Sequence, residues 1–504
     1  MPGKLRKVGY ILLSSLLVVA MAVAGLVINV GAGAPVAASA SSYYGGLNGI
    51  SMLNITPGSD ATQLCFSWAT TSGLTLPLPT STAPNPTSPI PTVQIAAKPA
   101  NWDGTTFPST GVTAFYGTSV ASYYGTSATA LSPGSFYQNK VTVSGLSNST
   151  AYLYRFGDNT EANWSSIYTF TTKKPGSFSF LAVGDPQIGA RCEVLTPGQP
   201  AQDTKDAQQS VAIDGAGWRD TVTKALNKFP DVSFLMSLGD QVNNETTKDR
   251  DDTPGIGTGG VEGGQDQEYA EYFVPQMTSL PVANIDGNHD YSLGPYFAYH
   301  YNLPNQSTQY GASAFGNDGD YWYTYGNALF MVLNSNTLSV ATHDVFIGQA
   351  IAANPNAKWR IVSFHHSVYS EANHYTDPDI QFRRANYPAV FDKYHIDIVM
   401  SGHDHEYTRS YQILNGAAQM NQTTLNGSVV NPTGTLYLTL DSGSGSKFYD
   451  WNGQLPTPAW FSARRWQLHV PTFSYVTLDS NHFSIVTYRT NDMTAIDQYS
   501  ITKS

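Results

Sequence analysis

The first third of the chain alternates between apolar and polar positions over short stretches. In residues 63–68, Leu64, Phe66 and Trp68 fall on one face of an extended strand. Comparable short stretches recur up to residue 174, with turn-forming residues between them and without helical periodicity. Several short strands joined by turns are typical of a β-sandwich, so we predict an all-β domain over residues 41–174.

Beyond residue 174 the pattern changes to continuous apolar stretches alternating with a helical stretch at residues 218–229. Continuous apolar strands flanked by helices indicate a sheet that is covered on both faces, and such sheets bind ligands at the carboxyl ends of their strands. We therefore predict an α/β domain over residues 175–504, with strands at 178–183, 232–238, 329–333, 359–364, 396–400 and 435–440.

The chain begins with a segment typical of exported proteins. Lys4, Arg6 and Lys7 precede an apolar run at residues 8–30, and small residues follow up to Ala40. This order predicts a signal peptide over residues 1–40 and a secreted, extracellular or cell-surface protein. The apolar run could also span a bilayer, so membrane contact is expected only if the segment stays uncleaved.

Composition agrees with an exported enzyme of more than one domain. The chain has 504 residues, of which 41% are hydrophobic and 12% charged, and its net charge is −11. This length exceeds what one core usually serves. The acidic balance argues against a nucleic-acid-binding surface. The two cysteines, Cys65 and Cys192, could form a disulfide between the domains or remain buried thiols, and the sequence leaves both possibilities open.

Polar side chains cluster where the predicted strands of the second domain end. Five short blocks occur in order, most of them directly after an apolar stretch: Gly184-Asp185-Pro186-Gln187, Gly239-Asp240-Gln241-Val242-Asn243, Gly287-Asn288-His289-Asp290, His365-His366 and Gly402-His403-Asp404-His405. Their carboxylate, amide and imidazole groups are ligands for ions such as Zn, Mn or Fe. Six or seven ligands exceed the need of one tetrahedral ion, so the blocks predict a pair of metal ions.

These blocks resemble the metallophosphoesterase (calcineurin-like) superfamily. The 145–155 segment, with Gly145-Leu146 and Thr150-x-Tyr152-x-Tyr154-Arg155, resembles a fibronectin type III module, and together the two parts resemble purple acid phosphatase-like proteins. The resemblance implies a four-layer αββα catalytic sandwich behind the N-terminal domain. It also implies metal ligands, with Asp185 and His405 on the first ion, Asn288, His365 and His403 on the second, and Asp240 bridging both.

The resemblance further implies two histidines that act on the substrate. His289 would bind a phosphate oxygen or protonate the leaving group, and His374 lies where plant-type members carry a second phosphate-contacting histidine. Two positions depart from the purple enzymes. Asn243 replaces their iron-binding tyrosine, which argues against a purple, ferric site. Gln187 stands where other superfamily members place a metal-binding histidine and is a further candidate ligand.

The sequence thus predicts a secreted dinuclear-metal phosphatase, acid phosphatase-like, that hydrolyses small phosphomonoesters by attack of a metal-bound hydroxide on phosphorus. One alternative is a phosphodiesterase or nucleotidase on the same metal core. Another is a surface-binding protein whose metal site is vestigial. Protein partners and the natural substrate are not encoded in any motif that we recognise.

Overall fold

The computed structural model describes residues 50–70, 90–123, 135–159, 164–192, 207–243, 265–291, 296–313 and 318–504. The predicted signal peptide at residues 1–40 lies outside these ranges, so its cleavage or anchoring stays a prediction. Among the helices within the described ranges, none is long and apolar enough to cross a membrane.

The N-terminal domain is all-β, as predicted. Two four-stranded antiparallel sheets, in the orders β1-β2-β6-β5 and β4-β3-β7-β8, pack face to face. Aromatic side chains fill the space between them, with the rings of Phe66 and Tyr154 5.2 Å apart and those of Trp68 and Phe156 5.0 Å apart. The strands are β1 Ile50–Pro57, β2 Leu64–Thr70, β3 Thr92–Ala97, β4 Val112–Tyr116, β5 Thr118–Tyr123, β6 Ser135–Val143, β7 Ala151–Gly157 and β8 Tyr168–Thr171.

Strand β2 differs from the half-buried strand that its alternation indicates, because every residue in it is buried. Leu64, Phe66 and Trp68 face the core of the sandwich, while the opposite face is covered by the second domain. There the Ser67 hydroxyl donates to the carbonyl of His300 at 2.5 Å. Cys65 on the same face is a free, buried thiol whose pKa is raised to about 11 by burial.

The second domain contains two large mixed sheets. One has the order β11-β10-β9-β22-β23-β24-β19-β18 and the other the order β12-β13-β14-β15-β20-β16-β17, with β21 paired to β16. The strands are β9 Phe178–Val183, β10 Leu235–Ser237, β11 Val282–Asn284, β12 Tyr321–Tyr325, β13 Ala328–Val332, β14 Trp359–Ser363, β15 Ile398–Ser401, β16 Tyr407–Leu414, β17 Ala417–Gln419, β18 Thr424–Leu425, β19 Ser428–Val430, β20 Thr435–Thr439, β21 Ser462–Trp466, β22 Thr472–Leu478, β23 His482–Arg489 and β24 Ala495–Thr502.

The helices are α1 Ala207–Lys228, α2 Gln265–Tyr272, α3 Asn288–Tyr291, α4 Tyr296–His300, α5 Val340–Ala353 and α6 Pro378–Lys393, with 3-10 turns at Ala190–Cys192, Pro275–Thr278 and Asn373–Thr376. Four of them cover the outer faces of the two sheets. Helices α1 and α2 share one apolar core with the outer face of β9 and β10. Helices α5 and α6 share another with β13, β14 and β15.

A third core lies between the two sheets and is rich in aromatic residues. Phe180 stacks on Phe234 at 4.9 Å, and Phe330 of the other sheet meets Phe234 edge-on at 5.5 Å. Helix, sheet, sheet and helix therefore form four layers, which confirms the predicted αββα sandwich. The parallel strands β9, β10 and β11, and β13, β14, β15 and β20, direct their carboxyl ends to one edge of these sheets.

Candidate metal centre

Each polar block emerges from the carboxyl end of a parallel strand. Asp185 follows β9, Asp240 follows β10 and Asn288 follows β11 in the first sheet. In the second sheet His365 follows β14, and His403 follows β15. Because the ends of adjacent parallel strands lie side by side, five distant parts of the chain meet in one place.

The backbone is strained at this edge. Five candidate ligands have positive φ angles, namely Asp185 (37°), Gln187 (34°), Asp240 (44°), His403 (74°) and His405 (43°). Such conformations cost about 1–3 kcal/mol each for residues other than glycine and occur where function requires them. The block glycines have a different role: a Cβ on Gly402 would lie 2.4 Å from the Asp185 carboxylate, so only glycine permits this approach.

One group of candidate ligands gathers around the imidazole of His365. Its Nε2 lies 3.1 Å from Asn288 Oδ1, 3.1 Å from Asp240 Oδ2 and 3.2 Å from His403 Nδ1. The ligand atoms of Asp240, His365 and His403 all lie within 4.8 Å of one another. Four donor atoms of the types that bind first-row metals therefore converge on one small space.

A second group consists of Asp185 and His405. The Nε2 atom of His405 lies 3.6 Å from Asp185 Oδ1. The two groups are adjacent, since Asp185 Oδ1 is also 3.8 Å from His365 Nδ1 and the Asp185 carboxylate accepts the backbone N–H of His403 at 2.8 and 3.0 Å. The structure thus brings together the six side chains from which the sequence predicts a metal site.

The imidazoles are oriented as metal ligands require. His365 Nδ1 lies 2.9 Å from the carbonyl of Leu238, and His405 Nδ1 lies 2.9 Å from the carbonyl of Lys447. A carbonyl only accepts, so each Nδ1 donates a proton to it, which leaves Nε2 as the nitrogen that would bind a cation. Ligating histidines in proteins are held in this way. The donor set therefore fits bound cations.

Buried acidic groups crowd this edge. Burial and the neighbouring Asp240 raise the pKa of Asp185 well above its usual value. Burial and Asp240 likewise raise the pKa of Asp290 to about 7. Burial opposes protonation of His365, but the Asp240 carboxylate outweighs it and raises the pKa of His365 to about 9. Metal cations would supply the positive charge that these carboxylates need.

His289 lies at the margin of the metal centre. Its backbone N–H donates to Asp240 Oδ1 at 2.9 Å, and its Nδ1 donates to the carbonyl of Asn243 at 2.6 Å. The side chain is half-buried. Asn243, the residue that replaces the tyrosine of the purple enzymes, therefore orients His289 through its backbone.

The Asn243 side chain accepts from Gln187 Nε2 at 3.0 Å. Gln187 is buried beside the site, where its carboxamide nitrogen is directed to Asn243. Its role as a metal ligand stays a prediction.

His374 also lies at the centre. Its ring stacks on that of His403 at a centroid distance of 4.2 Å, and its Nδ1 is 2.7 Å from Asp377 Oδ2. Its backbone N–H donates to the carboxylate of Asp404 at 2.9 Å. Both predicted substrate-contacting histidines thus border the candidate ligands, His289 beside Asp240 and His374 beside His403.

Several supporting residues carry no role in the sequence prediction. The Asp290 carboxylate accepts the backbone N–H groups of Gln241 and Gly287, which joins the loops that carry Asp240 and Asn288. The His366 ring lies 4.6 Å from that of His403, and its Nδ1 bonds to Ser335 Oγ at 2.8 Å. Both residues occur inside the polar blocks, so the sequence marks their place but not their contacts.

Two family models match the chain. Residues 178–407 match the calcineurin-like phosphoesterase domain, and residues 51–172 match the purple acid phosphatase N-terminal domain. Among curated proteins, the uncharacterized protein Rv2577 of Mycobacterium tuberculosis is 29% identical over 94 residues. That stretch covers 18% of this chain and 18% of the relative, so the match spans a small part of either protein.

Solved structures share the fold over most of the chain. Purple acid phosphatase PPD1 from yellow lupin (Lupinus luteus) seeds superposes with a TM-score of 0.65 at 16% identity, covering 91% of this chain and 75% of that one. PhoD superposes with a TM-score of 0.51 at 12% identity, covering 89% and 91%. The chain therefore carries a calcineurin-like phosphoesterase domain behind a purple acid phosphatase N-terminal domain.

Proposed function

We propose that this protein is an exported phosphatase that hydrolyses small phosphomonoesters at a pair of metal ions. The observation that carries the proposal is the arrangement of ligands in two adjacent groups, with Asp185 and His405 in one and Asn288, His365 and His403 in the other. Asp240 follows β10, where its Oδ2 lies 3.1 Å from His365 Nε2 of one group, and its charge raises the pKa of Asp185 in the other group. In this arrangement Asp240 would be shared by the two ions.

The calcineurin-like phosphoesterase domain implies metal ions. The types of donor atom at the site limit which metals can bind. Imidazole, carboxylate and carboxamide groups suit Zn, Mn or Fe in the divalent state. A ferric ion is disfavoured because Asn243 offers no tyrosinate. When bound, two such ions would neutralise the phosphate and lower the pKa of a water molecule enough to supply hydroxide near neutral pH.

The protein's own side chains would bind and orient the substrate. His289 is held through Nδ1 by the Asn243 carbonyl, so its Nε2 would be the atom that contacts a phosphate oxygen. His374 is fixed through Nδ1 to Asp377, and its Nε2 is available to the oxygen of the departing alcohol. Imidazoles in these positions would hold the transferring group and deliver a proton to the leaving group.

Export is supported by the sequence alone. The basic residues, the apolar run and the small residues before Ala40 are the features of a signal peptide. We propose a secreted or cell-surface enzyme that does not bind nucleic acid, since the net charge is −11.

Rates of phosphate release test the proposal. The purified protein, reconstituted with Zn, Mn or Fe, should hydrolyse p-nitrophenyl phosphate faster than bis-p-nitrophenyl phosphate. A reversed preference would identify a phosphodiesterase on the same core. Absence of both activities, with fewer than one ion bound per chain, would favour a binding protein with a vestigial site.

A further inference from the structure

A loop outside the five blocks contacts the turn that carries Asp185. Residues 442–447, which we name the serine loop, follow β20 at the same sheet edge as the blocks. Ser442, Ser444 and Ser446 are all buried, with at most 3% of any of them exposed. Three buried hydroxyls within five residues require partners, and all three find them in one other turn.

That turn is the one that carries Asp185. Ser442 Oγ donates to the carbonyl of Asp185 at 3.1 Å, and Ser444 and Ser446 both donate to the carbonyl of Pro186. The backbone N–H of Gly443 adds a bond to the carbonyl of Gly184 at 2.7 Å. The turn has φ angles of +37° at Asp185 and +34° two residues later, and strain of this kind persists only where surrounding contacts fix it.

The serine loop also fixes the other member of the same ligand group. The carbonyl of Lys447, at the end of the loop, accepts the Nδ1 proton of His405 at 2.9 Å. His365 in the second group bonds instead to the carbonyl of Leu238, which belongs to the turn after β10. The serine loop therefore contacts both members of one ligand group, whereas the central imidazole of the other group is held elsewhere.

The loop is itself held in place. Arg191 Nη2 donates to the carbonyl of Gly445 at 2.7 Å, and Arg191 pairs with the buried Asp214 of α1 at 3.0 Å. A Cβ on Gly217 of α1 would lie 2.2 Å from the carbonyl of Ser444, so helix and loop are in direct contact. A loop fixed to a helix can hold a strained turn in one conformation.

We infer that the serine loop is a positioning element for one of the two metal ions, the one bound by Asp185 and His405. This inference rests on the two-metal site proposed above. The hydroxyls of Ser442 and Ser444 hold the Asp185 turn, and the Lys447 carbonyl sets the His405 tautomer. Contacts of this kind around metal ligands change metal affinity by about 10- to 100-fold.

The double variant Ser442→Ala/Ser444→Ala tests the inference through metal binding rather than turnover. Calorimetric titration of the metal-free protein with Zn²⁺ should give two binding events in the wild type. In the double variant one dissociation constant should rise at least about tenfold, and the other should stay unchanged. The matched control is Ser474→Ala in β22. It removes an equally buried hydroxyl, which bonds to Thr487 of β23, and should leave both dissociation constants unchanged.

A third variant identifies which ion is weakened. His405→Ala removes a ligand of the Asp185 group directly, so adding Ser442→Ala to it should cause no further change in the remaining site. Melting temperatures of the metal-free proteins show whether folding is intact. If the double variant folds poorly, the milder Ser446→Ala, whose bond to Pro186 is 3.3 Å, should weaken the same ion to a smaller extent.

The outcomes distinguish failure of the serine-loop inference from failure of the two-metal site. If the wild type binds two ions and the serine variants bind both with unchanged constants, the loop inference is wrong and the two-metal site stands. Equal weakening of both ions would also contradict it, because the loop would then act on the whole domain. A wild type that binds only one ion would overturn the two-metal site and the loop inference together.

Discussion

Two regions of this molecule bury charge, and they do so in opposite ways. At the contact between the domains, Lys140 of β6 places its ammonium group 2.6 Å from the carbonyls of Ala298 and Tyr301, at the end of α4. At the carboxyl edge of the catalytic sheets, Asp185 and Asp240 are buried beside each other. The first region satisfies its charge with the protein's own acceptors, whereas the second gathers buried acidic groups around His365, whose pKa Asp240 raises to about 9.

This difference distinguishes a structural buried charge from a functional one. Carbonyls at a helix end are good partners for a cation, so Lys140 can join two domains without any added ligand. Adjacent buried carboxylates repel each other and are costly unless a cation is bound. The contact between the domains therefore needs no added ligand, whereas we expect metal ions to complete the sheet edge.

The largest expected effect is at Asp240. Asp240→Ala should lower kcat/KM for p-nitrophenyl phosphate at least about 10³-fold, because the carboxylate shared by both ions is lost. The matched variant in the other region is Lys140→Met, which should keep the wild-type rate after correction for folded protein. Equal losses of kcat/KM in Asp240→Ala and Lys140→Met would contradict a catalytic role for the sheet edge.

The next effect is at His289. His289→Ala should lower kcat about 10²–10³-fold and leave the metal content unchanged, since we propose that His289 contacts the substrate rather than the ions. His482→Ala, an exposed histidine on β23, serves as the control and should have no effect. Loss of metal in His289→Ala would instead assign it to the ligand set.

A smaller effect concerns pH and the domain contact. Burial lowers the pKa of Lys140 from 10.5 to about 8. Between pH 8 and 10.5 the unfolded chain thus binds this proton more readily than the folded one, so the free energy of unfolding should rise with pH there.

Denaturant titrations of the wild type and Lys140→Met at pH 8 and pH 9.5 measure this rise. The wild type should gain about 1–2 kcal/mol relative to the variant over that interval. No change in the difference between the two proteins would mean that Lys140 keeps an ordinary pKa.

The smallest effect is expected at Gln187. Its carboxamide nitrogen donates to Asn243, so Gln187→Ala should change kcat/KM less than tenfold. Measuring both kcat/KM and metal content of the variant shows whether Gln187 is a metal ligand. A larger loss that appears with loss of one ion would make Gln187 a ligand of the Asp185 group.

The sequence was sufficient for the parts of the site that follow simple strand patterns. Four of the five blocks lie at the end of a strand that the sequence predicts, and strand ends in a parallel sheet meet at one edge. The strand predicted at 178–183 agrees with β9, and that at 435–440 with β20 to within one residue. Where the pattern was weaker the prediction was less accurate: the helix predicted at 218–229 begins eleven residues earlier, at Ala207.

Contacts between distant segments could not be predicted. The serine loop follows β20 just as the blocks follow their strands, but serine and glycine are common in ordinary turns and do not indicate a metal site. The antiparallel strands β22, β23 and β24, which extend the first sheet, leave little trace in the motifs. Burial of both faces of β2 depends on docking of the second domain, which strand alternation does not encode.

The central claim is that two ions bind between the six gathered side chains. Anomalous-difference maps from a crystal of the reconstituted protein, recorded at the absorption edge of the added metal, test it most directly. The account predicts two peaks beside Asp240, one also next to Asp185 and His405 and the other next to Asn288, His365 and His403. A single peak, or peaks away from these side chains, would contradict it.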